Sequence, residues 1–110
     1  MDDKNPFIIN RILKEIDFIL DSADKMSKDN FMLDDYAQHA LAMALLNIGE
    51  LANRLDDSYR SEHDGIPWQQ MVGFRNAAAH GYDGLDMEIV WNTIEKDLRP
   101  LKDRLSILVR

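Results

Sequence analysis

The sequence predicts an all-α domain, an antiparallel up-and-down bundle of four main helices. Apolar residues recur at three- and four-residue spacing along almost all of the 110 residues, and no segment shows the alternation of a strand. Short polar connections separate the predicted helices, which favours antiparallel neighbours. With 45% apolar residues, the chain is large enough for one core, so residues 1–110 form a single helical domain.

The first helix is predicted over residues 6–26. Asn5 is a favourable N-cap, and Pro6 suits the first helical position because its missing N–H would be unpaired there anyway. An apolar stripe follows at helical spacing: Ile9, Ile12, Leu13, Ile16, Leu20 and Ala23.

A polar connection over residues 27–30 leads to a second helix, whose regular part begins near Asp35. Asp35 and Gln38 have the spacing of a capping box. Gly49 lies in mid-helix, where glycine costs about 1 kcal/mol relative to alanine, so we expect a neighbouring helix to approach closely there. The stripe is broad enough to contact more than one neighbour: Ala37, Leu41, Ala44, Ile48, Leu51, Ala52 and Leu55, widened by Ala40, Met43 and Leu45.

The third predicted helix is the shortest and carries most of the polar residues of interest. It follows a polar loop over residues 56–65 and restarts at Pro67. We expect it to end at His80, with Gly81 in the C′ position and a short turn over residues 82–85.

The fourth helix is predicted to begin after Asp86, its N-cap. Pro100 lies within its apolar pattern and removes the hydrogen bond to the Lys96 carbonyl, so we expect a kink or break near Pro100.

Charge and composition restrict the possible partners. Twenty acidic and thirteen basic residues give a net charge of −7. Because affinity for nucleic acid normally comes from Lys and Arg at the phosphates, an RNA site here would have to be a local positive cleft. The same charge would suit a basic protein partner.

Several classes of protein and site are disfavoured by composition. There are no cysteines, hence no disulfides or thiolate metal ligands. The carboxylates have no metal-ligand spacing, and no glycine-rich phosphate loop is present. The apolar runs are too short to span a bilayer, and the first residues are acidic where a signal peptide would be basic. We therefore expect a soluble cytoplasmic protein with no membrane association.

Residues 75–82 combine three chemically active side chains with three alanines. Arg75 is suited to binding a phosphate, and His80 can exchange protons near neutral pH. The alanines leave the surface open to a large ligand. This pattern indicates phosphodiester chemistry without a metal or cofactor, although a surface arginine and a helix-terminal histidine would have the same spacing.

Helical geometry restricts how these residues can meet. Positions 75 and 80 lie about 140° apart around an ideal helix, whereas Asn76 and His80 share a face. Either the last turn unwinds at Gly81, or two protomers related by a two-fold axis each contribute a copy of the motif to one cleft. The second arrangement would place two Arg75 guanidiniums in one groove and concentrate positive potential there.

In such a cleft, each side chain would have a definite role. His80 would act as general base on an RNA 2′-OH or as general acid to the leaving 5′-oxygen. Arg75 would bind the phosphate and stabilise the charge that develops on it. Asn76 would fix the imidazole or a phosphate oxygen, and Tyr82 would hydrogen-bond to a phosphate or stack on a base.

Glu50 lies on the polar face of the second helix with Asn47 and Arg54. One interpretation is a solvated i,i+4 ion pair with Arg54, which would contribute a few tenths of a kcal/mol. The other is that Glu50 lies near the cleft and orients Arg75.

The pattern Arg75-x4-His80-x-Tyr82 resembles the signature of HEPN-domain ribonucleases, and residues 66–101 together with residues 48–50 resemble the HepT branch. Members of that branch are toxins paired with a minimal nucleotidyltransferase antitoxin. The resemblance implies an all-helical homodimer that cleaves RNA without a metal in a cleft between protomers. It also implies that the antitoxin neutralises the toxin by transferring AMP to the motif tyrosine, here Tyr82.

Three hypotheses follow from the sequence. The leading one is an endoribonuclease toxin with Arg75 and His80 as catalytic residues and Asn76, Tyr82 and Glu50 in support. The second is a non-catalytic helical dimer that binds a nucleotidyltransferase partner or a nucleotide. The third is a plain structural dimer.

Overall fold

Four long helices and two short ones make up the described part of the chain. The structure is a computed structural model that describes residues 3–82 and 86–110, and for residues 80–82 only the backbone. Within these ranges there is no strand. The helices are α1 (Lys4–Ala23), α2 (Lys28–Leu33), α3 (Asp35–Asn53), α4 (Asp57–Glu62), α5 (Trp68–Tyr82) and α6 (Met87–Ile107).

The long helices form the predicted bundle, consistent with a HEPN-like fold. α1 packs against α3 and α6, and α5 packs against the same two helices. At the start of α1, Asn5 bonds to Asp56, just beyond the end of α3. Near the end of α6, Arg104 donates to the carbonyl oxygen of Gly65, just before α5. These two pairs of helices therefore run antiparallel.

The core comes from the apolar stripes that helical spacing predicted. Burying such side chains supplies most of the driving force for packing the helices together. The ring of Trp91 on α6 also contacts that of Phe31, with centroids 5.1 Å apart, and this contact attaches α2 to the bundle. The buried set includes Ile9, Ile12, Ile16, Leu20, Ala23, Leu41, Ala44, Ile48, Ala52, Leu98, Leu101 and Leu105.

The N-terminus of α1 differs from the prediction. The N-cap is Asp3, whose side chain accepts a hydrogen bond from the Asn5 backbone N–H, and the helix runs from Lys4 to Ala23. Asn5 is buried, and its side-chain oxygen accepts from the backbone N–H of Asp56 at 3.1 Å. The predicted cap residue is thus used for a contact between helices, and a neighbouring aspartate caps α1 instead.

A short helix that was not predicted begins in each of the two polar connections. Ser27 caps α2 by accepting a hydrogen bond from the backbone N–H of Asn30. The ring of Tyr59 on α4 contacts Trp68, with centroids 6.4 Å apart. Both short helices are held by an aromatic contact with the bundle, which local sequence does not reveal.

The predicted capping box of α3 is not formed. Its N-cap is Asp34, which accepts a hydrogen bond from the backbone N–H of Ala37. Gln38 instead donates to the carbonyl oxygen of Phe31 at 3.0 Å. Of the two adjacent aspartates, Asp34 is the N-cap and Asp35 is the first residue of the helix.

α5 is longer than predicted. Its backbone remains helical to Tyr82, so Gly81 lies inside the helix and is not a C′ residue. Residues 83–85 of the predicted turn lie outside the described residues.

Asp86 caps α6, as predicted, by accepting from the backbone N–H of Glu88. Pro100 lies inside α6, which continues to Ile107, so the helix is not broken there. Loss of one backbone hydrogen bond is tolerated while Leu98 and Leu101 on either side remain buried in the core. No helix within the described residues is long and apolar enough to cross a membrane.

Candidate active site

An open groove of about 1300 Å³ lies between α3, α4 and α5. Three of the residues predicted for the site, Glu50, Arg75 and Asn76, line it. The full lining is Leu46, Glu50, Asn53, Asp57, Arg60, Ser61, Asp64, Ile66, Pro67, Trp68, Gln69, Val72, Gly73, Arg75, Asn76 and Ala79.

Arg75 forms an ion pair with Glu50 across the α3–α5 contact. Its Nε lies 2.9 Å from Oε1 of Glu50, and the two side chains are 44% and 43% exposed. A pair made through Nε uses one of the five N–H groups of the guanidinium, so the others remain available to an oxyanion. The structure thus joins Glu50 to Arg75, as the second interpretation of Glu50 requires.

Gly49 makes room for the Arg75 side chain, and the predicted close approach at this glycine is confirmed. A Cβ at position 49 would lie 2.5 Å from Cγ of Arg75 and 3.1 Å from the carbonyl oxygen of Val72. Since real Cβ atoms do not approach another atom to 2.5 Å, a side chain at position 49 would force Arg75 to move. The aliphatic part of Arg75 therefore lies against α3, with its guanidinium beside Glu50.

The residues that follow Arg75 on α5 leave the groove open to solvent. Asn76 is exposed and lines the groove, as does Ala79, whereas Ala78 is buried in the core. A large ligand can therefore approach the Arg75 guanidinium from the open side.

His80 and Tyr82 belong to α5 by their backbone, but their side chains lie outside the described part of the structure. Because α5 is helical to Tyr82, the unwinding at Gly81 that would bring positions 75 and 80 together is not found. The two positions thus lie about 140° apart around the helix axis.

The groove contains charged residues of both signs. Arg60 and Arg75 line it together with Glu50, Asp57 and Asp64, so one chain does not form the positive cleft that the sequence analysis expected. Among residues 3–82 and 86–110, excluding the undescribed side chains, no cluster of three His, Cys, Asp or Glu residues is placed to hold a metal ion.

Arg60 also lines the groove but was not predicted as a site residue, because it lies on α4 in the segment predicted as a loop. Its side chain is paired with Asp57, three residues earlier. This i,i+3 spacing of opposite charges is typical of a helical turn and was the available indication.

The chain is similar in sequence to known proteins. The family model described as "Ribonuclease HepT-like" matches residues 12–108. The chain is 28% identical over 102 residues to "Putative RNase TTE0752" of Caldanaerobacter subterraneus subsp. tengcongensis, covering 93% of this chain and 91% of the relative. It is 29% identical over 97 residues to "Probable ribonuclease HepT" of Thermococcus cleftensis, covering 88% of each. No solved structure gives a significant match. Because the family model spans most of its length, the chain belongs to the HepT-like ribonuclease family.

Proposed function

We propose that this protein is a metal-independent endoribonuclease and the toxin component of a toxin–antitoxin pair. The observation that carries the proposal is the placement of Arg75 on the wall of an open groove, where Glu50 and Gly49 hold it. Membership of a ribonuclease family supports RNA as the substrate. The names of the two relatives, a putative RNase and a probable ribonuclease, also support RNA as the substrate.

The proposed reaction is transesterification by the RNA itself. His80 takes the proton of a 2′-hydroxyl, whose oxygen attacks the adjacent phosphorus while the bond to the 5′-oxygen breaks. The leaving 5′-oxygen takes up a proton from a second, protonated His80, and Arg75 stabilises the charge on the phosphate. The products are a 2′,3′-cyclic phosphate and a 5′-hydroxyl.

A homodimer would complete this site. Two copies of the motif in one cleft supply two Arg75 side chains, which concentrate positive charge at the phosphate, and two His80 side chains, of which one takes and one gives a proton. On α3, Tyr36 and Met43 are exposed and lie fourteen and seven residues before Glu50, on the same helix face. These two exposed apolar side chains suit contact with a second copy of the chain. Sedimentation should show a dimer at micromolar concentration, and a monomer would contradict the composite cleft.

The proposed regulator is a minimal nucleotidyltransferase that attaches AMP to Tyr82. Because α5 is helical to its end, positions 75 and 82 share a face about 10 Å apart along the axis. An AMP group on that face would add negative charge near Arg75 and compete with an RNA phosphate.

Analysis of product ends tests the proposed chemistry. An oligoribonucleotide incubated with the protein should give 2′,3′-cyclic phosphate and 5′-hydroxyl ends. The same sequence with a 2′-deoxy sugar at the cut site should stay intact, because its nucleophile is missing. Cleavage of the 2′-deoxy substrate at the same bond would exclude this mechanism.

A further inference from the structure

We propose that Arg60 binds a second phosphate of the RNA strand whose scissile phosphate is bound by Arg75. This inference rests on the proposed ribonuclease function and extends it, because it assigns the direction in which the strand leaves the reacting phosphate. In this assignment the strand follows α5 from Arg75 towards its N-terminus and passes α4.

Arg60 is held firmly at the groove. Its side chain is only 24% exposed, which is low for an arginine on a surface helix. Nε1 of the buried Trp68 donates to the carbonyl oxygen of Arg60 at 3.1 Å and to that of His63 at 2.9 Å. Since Trp68 is the first residue of α5, these bonds attach the end of α4 to the start of α5. Arg60 is therefore positioned by the same helix that carries Arg75.

Trp68, which is bonded to the backbone of Arg60, lies near Arg75 along α5. Seven residues of α5 separate Trp68 from Arg75, a distance of about 10 Å along the helix axis. Both arginines line the same groove, so phosphates of a single RNA strand can contact both.

Asp57 pairs with Arg60 in the free protein and would compete with the phosphate. Its side chain is 94% exposed, and an ion pair with so exposed a partner contributes little stability. A phosphate can take its place, because the guanidinium binds phosphate oxygens with two parallel hydrogen bonds. Asp64 and Glu50 also line the groove and oppose the strand. Removing the Asp57 charge should therefore strengthen RNA binding, whereas removing the Arg60 charge should weaken it.

The test measures binding without cleavage. Variants are made in a His80→Ala protein, and fluorescence anisotropy follows a fluorescein-labelled single-stranded 12-nucleotide RNA at several NaCl concentrations. Arg60→Gln keeps most of the aliphatic stem and should weaken binding about tenfold. It should also reduce the slope of log K against log salt concentration by about 0.7, the loss expected for one phosphate contact on a single strand. Arg60→Lys, which keeps the charge, should keep the slope.

Matched controls separate this contact from general electrostatics. Arg11→Gln and Asp29→Asn each remove one exposed charge outside the groove and should change affinity less than Arg60→Gln and Asp57→Asn. Equal effects of Arg60→Gln and Arg11→Gln would overturn the inference, as would RNA binding too weak to measure at low salt. If Arg60→Gln fails to fold, Asp57→Asn decides the question. The inference requires Asp57→Asn to bind the RNA more tightly than Asp29→Asn does.

Failure of the inference is distinguishable from failure of the proposed function. The inference is decided by these RNA affinities, which are measured in a His80→Ala protein that does not have to cleave RNA. The proposed function fails if the wild-type protein leaves RNA uncut.

Discussion

At the α3–α5 crossing, the side chain of Arg75 occupies the space that a side chain at Gly49 would need. A Cβ at position 49 would lie 2.5 Å from Cγ and 3.2 Å from Cδ of Arg75. The side chain of Arg75 thus takes its direction from a glycine on another helix and its guanidinium orientation from Glu50. Two consecutive residues of α3 therefore set the position of the proposed phosphate-binding group.

Gly49→Ala should lower RNA cleavage at least tenfold, because displacing a positioned group by a fraction of an ångström to 1 Å is costly in catalysis. Alanine would gain about 1 kcal/mol of helix propensity, but the clash should cost about 1–3 kcal/mol. Thermal unfolding should therefore show no gain in stability.

Gly73→Ala is the stability control for this substitution. Gly73 is also inside a helix, but a Cβ there would meet nothing within 4 Å. It should raise the free energy of unfolding by about 1 kcal/mol. If Gly49→Ala stabilised the protein as much as Gly73→Ala and cleaved RNA at the wild-type rate, Gly49 would have no part in placing Arg75.

Glu50→Gln tests the ion pair that orients Arg75. The pair is almost half exposed, so its loss should change the free energy of unfolding by less than about 1 kcal/mol. RNA cleavage should fall roughly tenfold or more, mainly through kcat, because a misaligned guanidinium stabilises the transition state less well. Steady-state kinetics and a thermal melt give both quantities. Unchanged kcat with a higher KM would indicate that Glu50 affects substrate binding only.

Asp56 should make folding stability depend on pH in the acid range. The hydrogen bonds from Lys4 and then Asn5 hold the pKa of Asp56 below its ordinary value of 3.8. A carboxylate with a lowered folded pKa stabilises the protein above its unfolded pKa and loses this contribution as the pH falls through the folded pKa. Asp56→Asn should therefore destabilise the protein at pH 7 and have less effect at pH 3.

Lys4→Met is the matched variant, because it removes the group that lowers this pKa most. Denaturant melts from pH 3 to pH 7 should show the same trend for both variants. A destabilisation that stayed constant over this range would contradict the assigned cause.

The sequence predicted the helices and part of the groove, and the exceptions have physical reasons. The 3.6-residue period revealed the core faces, and a costly mid-helix glycine revealed the crossing at Gly49. The N-caps of α1 and α3 were misplaced because neighbouring polar residues compete for each cap, and Asn5 is used for a tertiary contact. Arg60 was missed because α4 is short, polar and held by contacts with Trp68 that follow from the fold. Helical period reports local structure, whereas a groove depends on contacts between distant segments.

Tyr82→Phe tests the proposed regulation by AMP transfer. The substitution keeps the ring and removes the acceptor oxygen, so the variant should cleave RNA but escape neutralisation by a co-expressed nucleotidyltransferase. Intact-mass spectrometry after co-expression should show an AMP adduct on the wild-type protein only. An adduct of equal yield on Tyr82→Phe, or none on the wild type, would refute the assignment.

The most direct test of the central claim is RNA cleavage by the purified protein in the presence of EDTA. The wild-type protein should cut a single-stranded RNA under these conditions. Arg75→Ala and His80→Ala should each abolish cutting, and neither should shift the thermal midpoint by more than a few degrees. Wild-type activity in either variant, or cleavage that disappears with EDTA and returns with added divalent cations, would contradict the assignment of Arg75 and His80 as metal-independent catalytic residues.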